Sequence, residues 1–185
     1  MNAIVNLGFF LIGLTAALGA GVGAAAGRQN DAGQHRTTFA TPESIKIEHA
    51  ELHGELAAAT KLPGRTGAAA RHVAELLQPH FVSEEEFALP PLALLRPLAD
   101  GRVAPEMRDV IALTDRLKAE MPRMLNEHKA IVVALAELGQ AATAEHHPEI
   151  GRFVEKLTVH AQHEEQVLYP AAVLVGEYLK LKLPH

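Results

Sequence analysis

Two copies of one His and Glu pattern occupy corresponding positions in the two halves of the chain. His80 is followed four residues later by Glu84, and His160 by Glu164, so the two HxxxE units are offset by 80 residues (160 − 80 = 80). In a helix, residues four apart lie on one face, so each unit directs an imidazole and a carboxylate at one point. Imidazole and carboxylate ligands together suit iron, zinc and manganese.

The match extends to residues before and after each unit. His49 lies 31 residues before the first unit (80 − 49 = 31), and His128 lies 32 residues before the second (160 − 128 = 32). Pro90 and Pro170 each follow the glutamate of their unit by six residues. This shared register indicates an internal duplication, and we interpret it as two helical hairpins that form an up-down-up-down four-helix bundle.

Composition supports an all-α domain and excludes several classes of site. The 185 residues are poor in aromatic side chains and rich in Ala and Leu, which favours closely packed helices. The chain has no cysteine, so thiolate metal sites, cysteine nucleophiles and disulfides are excluded. The net charge of −5 is spread without a basic face, so no nucleic acid partner is expected.

The N-terminus carries an uncharged run at residues 3–27, which is long enough to span a bilayer. The three alanines at 24–26 suit a cleaved signal peptide, and we favour export to a periplasmic or other extracytoplasmic location. The alternative is a retained membrane anchor, for which Arg28 and Arg36 would favour a cytoplasmic body. A buried N-terminal helix is a third interpretation. Residues 28–40 form a polar linker.

The bundle itself is predicted over residues 41–180. Its four helices, each with an apolar face at spacings of three and four, are expected at about 42–60, 67–89, 105–138 and 148–170. Thr41 and Thr66 are the predicted N-caps of the first two helices. Pro79 is expected to bend the second helix, and Pro122 to divide the third into two parts. Residues 139–147 are predicted to form the next turn.

These helices direct six candidate metal ligands into the interior. Two metal ions would lie on either side of a pseudo-twofold axis, with each glutamate free to bridge them. A donor set dominated by histidine, with two carboxylates, favours iron. The alternative is a metal-free structural bundle with hydrogen-bonded core histidines. The candidate ligands are His49, His80, Glu84, His128, His160 and Glu164.

At this point the chain resembles the hemerythrin-like proteins with HHE cation-binding repeats. The resemblance covers about residues 43–175 and rests on four stretches, IEHAELHGEL, HFVSEEEFALP, NEHKAIVVAL and HAQHEEQVLYP. It implies a non-haem diiron site, with two iron ions joined by an oxo or hydroxo bridge and held by the six residues above. It also implies a protein that binds O2 or a related small oxidant in order to carry, scavenge or sense it.

The pattern departs from that of the oxygen-carrying hemerythrins, which have an HxxxH pair on the third helix and HxxxxD on the last. Here His128 is followed four residues later by Val132, whereas the first helix carries both His49 and His53. We therefore hypothesise that His53 is a fifth histidine ligand. His163 is a second candidate for that role.

Further polar side chains lie close in sequence to the candidate ligands. Glu48 and Glu127 point about 100° away from their neighbouring histidines, which favours a surface position. Glu85, Glu86 and Glu165 are expected to form a solvated face, and the alternative is that Glu85 or Glu165 orients a ligand histidine from outside. Tyr169 is either a hydrogen-bond donor to the site or part of the core.

The sequence allows two alternatives to the binding of an oxidant. The same metals could disproportionate peroxide, as some hemerythrin-like proteins are thought to do. An enzyme of that kind needs access for water and a nearby proton donor, for which His53, His163 and Tyr169 are candidates. The third possibility is the metal-free structural bundle. With any of these functions, residues 3–27 would allow association with a membrane.

Overall fold

The computed structural model describes residues 39–183, and every regular element among them is a helix. The predictions for residues 1–27 and for most of the linker fall outside these residues. Within the described part of the chain, no helix is long and apolar enough to cross a bilayer. The α-helices are α1 (Glu43–Ala59), α2 (Gly64–Ser83), α3 (Leu95–Ala99), α4 (Asp109–Ala144), α5 (Pro148–His163) and α6 (Tyr169–Lys182).

Four long helical segments pack together, which confirms the predicted all-α bundle. They are α1, α2, α4, and α5 with its continuation α6. Helix α2 packs against α1 and α4, α4 against α5, and α5 against α1, so the contacts close a ring. Apolar side chains at spacings of three and four supply the inner faces. Leu52 of α1, Leu77 of α2, Leu135 of α4 and Leu157 of α5 belong to one buried cluster.

A wide turn follows α2 and another follows α5, and each begins at the glutamate of an HxxxE unit. These π-helical turns are Glu84–Ala88 and Glu164–Leu168. In each, the backbone N–H five residues after the glutamate, that of Leu89 or Tyr169, donates to the glutamate carbonyl. Such turns are rare and concentrate at functional sites. The repeated proline comes next, at the start of a new helical segment where no N–H is needed.

Helix α4 is longer and more continuous than predicted. It runs unbroken through Pro122, so the predicted division there is wrong. Pro122 is exposed, and water can therefore hydrogen-bond the carbonyl that lacks an N–H partner. The predicted turn at residues 139–147 is also mostly helix, because α4 extends to Ala144 and buries Ala141 and Ala142 in the core.

The N-terminus of α2 is capped by a side chain from the other half of the chain. Since α2 begins at Gly64, Thr66 is not the N-cap that was predicted. The Glu145 carboxylate instead accepts hydrogen bonds from the N–H groups of Arg65 (2.8 Å) and Thr66 (2.9 Å), and from the Thr66 hydroxyl (2.7 Å). These bonds, led by that of the hydroxyl, lower the pKa of Glu145 to about 2.

We predict that Glu145→Gln lowers the free energy of unfolding most at neutral pH, because the amide carries no charge. The folded-state pKa of Glu145 lies below the ordinary 4.5, so its stabilisation is complete above that pH and is lost as the pH falls towards about 2. Urea unfolding of both proteins between about pH 7 and pH 3 measures the difference. Glu137→Gln, at an exposed position of α4, is the control. A difference for Glu145→Gln that does not shrink on acidification would contradict the prediction.

Candidate metal centre

The six predicted ligands meet in one buried cluster inside the bundle. Helices α1, α2, α4 and α5 supply one histidine each, and the two π turns supply the glutamates. The HxxxE spacing places each glutamate one turn beyond a histidine on the inner face of its helix. Each of the six residues is at most 3 % exposed: His49, His80, Glu84, His128, His160 and Glu164.

One group of ligand atoms joins α2 to α4. The Nε2 atoms of His80 and His128 lie 2.7 Å apart. Glu84 Oε1 lies 3.4 Å from His80 Nε2, and Glu164 Oε2 lies 3.4 Å from His128 Nε2. These four residues could hold one metal ion, with two imidazole and two carboxylate ligands.

A second group joins α1 to α5. Glu164 Oε1 lies 2.9 Å from His160 Nε2 and 3.5 Å from His49 Nε2, and these three residues could hold another ion. Glu84 Oε2 lies 4.0 Å from His49 Nε2. Each carboxylate therefore directs one oxygen to each group, as bridging ligands do. Each group takes its two histidines from different halves of the chain.

Unsatisfied buried atoms at the centre fit a metal ion. Among the described residues, four buried side-chain atoms have no hydrogen-bond partner, and all four belong to the predicted ligands. They are His49 Nε2, Glu84 Oε2, His160 Nε2 and Glu164 Oε1. A buried polar atom without a partner costs about 1–3 kcal/mol. A cation bound between the imidazoles and carboxylates would satisfy these atoms, and such mixed ligand sets suit first-row transition metals.

Outer carboxylates orient three of the four histidines. His80 Nδ1 donates to Glu127 (2.9 Å), and His160 Nδ1 donates to Glu48 (3.1 Å). Both glutamates lie partly exposed at the surface, as expected, and each also accepts a hydrogen bond from a candidate ligand histidine. Each points away from the histidine beside it in sequence, but towards the histidine of a neighbouring helix. An Nδ1–H donor of this kind leaves the Nε2 lone pair for a metal.

The third histidine is oriented in the same way by a residue after the second HxxxE unit. His128 Nδ1 donates to Glu165 Oε1 over 3.0 Å, which is the alternative considered for Glu165 and not only the solvated position that was favoured. Glu85 is the corresponding residue of the first half. Within residues 39–183, it forms no hydrogen bond or ion pair with His49.

The carboxylates of the metal-free cluster favour the charged form of His160. Burial lowers the pKa of His160, but the carboxylates of Glu164 and Glu48 outweigh burial and raise the value to about 9. Burial and the charge of Glu164 raise the pKa of Glu84. Although burial acts against ionisation of Glu164, the neighbouring imidazoles of His128, His160 and His49 hold its pKa well below the ordinary value. A metal ion must displace the proton that His160 carries at neutral pH, so the affinity for the metal should increase with pH.

Tyr169 is both a core residue and a hydrogen-bond donor to the centre. Its ring is fully buried and stacks on His128, with the ring centroids 5.7 Å apart. Its hydroxyl donates to Glu84 Oε1 and lies 3.4 Å from the Nε2 atoms of both His80 and His128. Burial, with the charge of Glu84 next, raises the pKa of Tyr169, so the hydroxyl keeps its proton.

The structure does not bring His53 or His163 into either ligand group. Both side chains are exposed. The His53 ring packs on Phe81, with centroids 4.5 Å apart, and Phe81 also contacts His49 at 4.6 Å. His163 lines a separate surface pocket.

Comparisons with protein families, with characterised proteins and with solved structures found no match. The resemblance to hemerythrin-like proteins therefore stays a prediction.

We predict that Glu165→Ala weakens metal binding by about 10-fold to 100-fold, the usual cost of losing a carboxylate that orients a ligand histidine. The matched control is Glu85→Ala, at the corresponding position, which should change the affinity less than about twofold because Glu85 holds no ligand histidine. Titration of the metal-free full chain with Co²⁺, followed by visible absorption, gives both affinities. Equal losses in the two variants would show that the outer hydrogen bond does not matter.

Proposed function

We propose that this protein is a non-haem diiron protein that binds O2 or a related small oxidant within a four-helix bundle. The observation that carries the proposal is the pair of buried ligand groups joined by the carboxylates of Glu84 and Glu164. The same proposal includes membership of the hemerythrin-like proteins, a duplicated up-down-up-down topology, and export directed by residues 1–27.

The donor set favours iron. It consists of four imidazoles and two carboxylates, without the thiolates that structural zinc sites often use. Sites made mostly of carboxylate and carbonyl oxygen suit magnesium and manganese instead. A reduced pair of irons, when bound, supplies two electrons to an oxidant.

The side chains around the cluster exclude water. Leu52, Ile131, Leu135 and Leu157 are each at most 1 % exposed and belong to the same apolar cluster as Phe81. An apolar interior of this kind protects a reactive centre from solvent and from unwanted proton transfer. It also strengthens the interactions between the imidazoles and the carboxylates.

Iron analysis of the full chain, purified without chelator, tests the proposal. We expect about two irons per chain in the parent protein and less than about one in Glu164→Gln, because Glu164 belongs to both ligand groups. Glu155→Gln, at an exposed position of α5, is the control and should keep the full iron content. Zinc alone, or no metal, would contradict the proposal.

Oxygen titration of the reduced protein then tests the ligand. A binding protein should show a change in visible absorption when O2 is added, and this change should reverse when O2 is removed. If the protein holds iron but shows no spectral response to O2 or to peroxide, the metal site stands and the proposed function is contradicted.

Tyr169 favours peroxide removal as a second candidate function, because its protonated hydroxyl is hydrogen-bonded to Glu84 at the centre. Peroxide consumption by the iron-loaded protein distinguishes this function from reversible binding. For an enzyme, Tyr169→Phe should lower the rate of consumption by about 10²-fold, the usual contribution of a positioned proton donor. Its iron content should stay that of the parent protein.

A further inference from the structure

The two ligand groups differ in how their histidines are held from outside. The offset between the halves pairs Glu127 with Glu48, and Glu165 with Glu85. The hydrogen bond that His80 donates to Glu127 recurs as the one that His160 donates to Glu48. The hydrogen bond between Glu165 and His128 has no counterpart, because within the described residues Glu85 forms no hydrogen bond or ion pair with His49.

A pocket occupies the place where that missing contact would lie. Its volume is about 360 Å³, and it is lined by Thr41, Lys46, His49, Ala50, His53 and Glu85. His49 thus faces the pocket and also carries one of the unsatisfied buried atoms of the centre, Nε2. His49 therefore belongs both to the lining of the pocket and to the second ligand group.

The aromatic residues are also placed asymmetrically. Tyr169 donates to Glu84 and lies beside His80 and His128, whereas the corresponding residue of the first half is Leu89, which has no hydroxyl. The aromatic ring of Tyr169, which is hydrogen-bonded through its hydroxyl to Glu84, thereby closes the first ligand group. The second ligand group has no such donor at the equivalent position.

We propose that the pocket beside His49 is the entrance to the buried centre, and that a small ligand reaches the His49 and His160 group through it. The inference rests on the proposed function only in assuming that the centre binds metal. His53 and Glu85 border the entrance, so their side chains control its width. The ligand class is a small neutral molecule or anion of two or three atoms, since larger solutes cannot pass a single imidazole ring in a packed interior.

Azide, a small anion that binds many metal centres, is the probe for the iron-loaded full chain. Ala50→Trp places a large ring in the pocket and should slow azide binding and azide release by the same factor, about tenfold or more, while the dissociation constant stays unchanged. An obstruction raises the barrier in both directions and leaves the end states alone. Lys129→Trp, at the corresponding exposed position of α4, is the matched control and should leave both rates unchanged. Stopped-flow absorption measures the rates.

A second variant acts in the opposite direction. His53→Ala should widen the entrance and raise both azide rates by a common factor, with an unchanged iron content, because His53 belongs to neither ligand group. Loss of iron in this variant would identify His53 as a ligand and overturn its role at the entrance.

Co²⁺ uptake by the metal-free full chain tests the entrance independently of whether the protein binds iron and O2. Ala50→Trp should slow uptake relative to both the parent protein and Lys129→Trp, whichever metal the protein uses in the cell. If Co²⁺ binds and Ala50→Trp changes no rate, the entrance is wrong and the metal centre stands. If Co²⁺ binds slowly to Ala50→Trp but the protein takes up no iron, the entrance stands and the diiron function fails. If no metal binds at all, both are overturned.

Discussion

Two carboxylates buried side by side, Glu84 and Glu164, are the constraint on which the rest of the bundle depends. Removing a charge from water costs several kcal/mol unless opposite charges and hydrogen bonds compensate it. Here the compensation comes from four imidazoles, one on each long helical segment. Three of these imidazoles are hydrogen-bonded in turn to partly exposed glutamates, which extend the charge network to the surface. The register of every helix against its neighbours is therefore fixed at the level of the cluster.

The π turns explain why the repeated motif extends beyond the ligands. In a regular α-helix, a residue five positions after a glutamate lies about 140° around the axis from it. The wider turn closes a hydrogen bond between the glutamate carbonyl and the fifth N–H, so it brings that residue back towards the same face. In the second half this residue is Tyr169, whose hydroxyl reaches Glu84 of the first half. The proline that follows then begins a new helical segment and ends the wide turn.

The sequence predicted the parts of the site that depend on spacing within one helix. The six candidate ligands follow from helical periodicity, and the structure buries all six. Contacts between helices carry no comparable signal. The hydrogen bonds that Glu48 and Glu127 accept were not predicted because their partners lie on other segments, and the cap of α2 was missed because Glu145 comes from the far half of the chain. The extent of α4 was also misjudged: Gly139 was expected to end the helix, but the alanines after it favour a helix, and Ala141 and Ala142 are buried in the core.

A duplicated site need not stay symmetric, because each half is free to change wherever the inner ligands are kept. The ligands are identical in type in the two halves, whereas the residues around them are not. Phe81 corresponds to Ala161 in the repeat, and Leu89 corresponds to Tyr169. On the side of His128, the ring is fixed by Glu165 and by stacking on Tyr169. On the side of His49, the ring is held by Phe81 and borders an open pocket. Under the proposed function, metals held by the two ligand groups would therefore differ in access, and that difference would allow one position to remain structural while the other exchanges ligands.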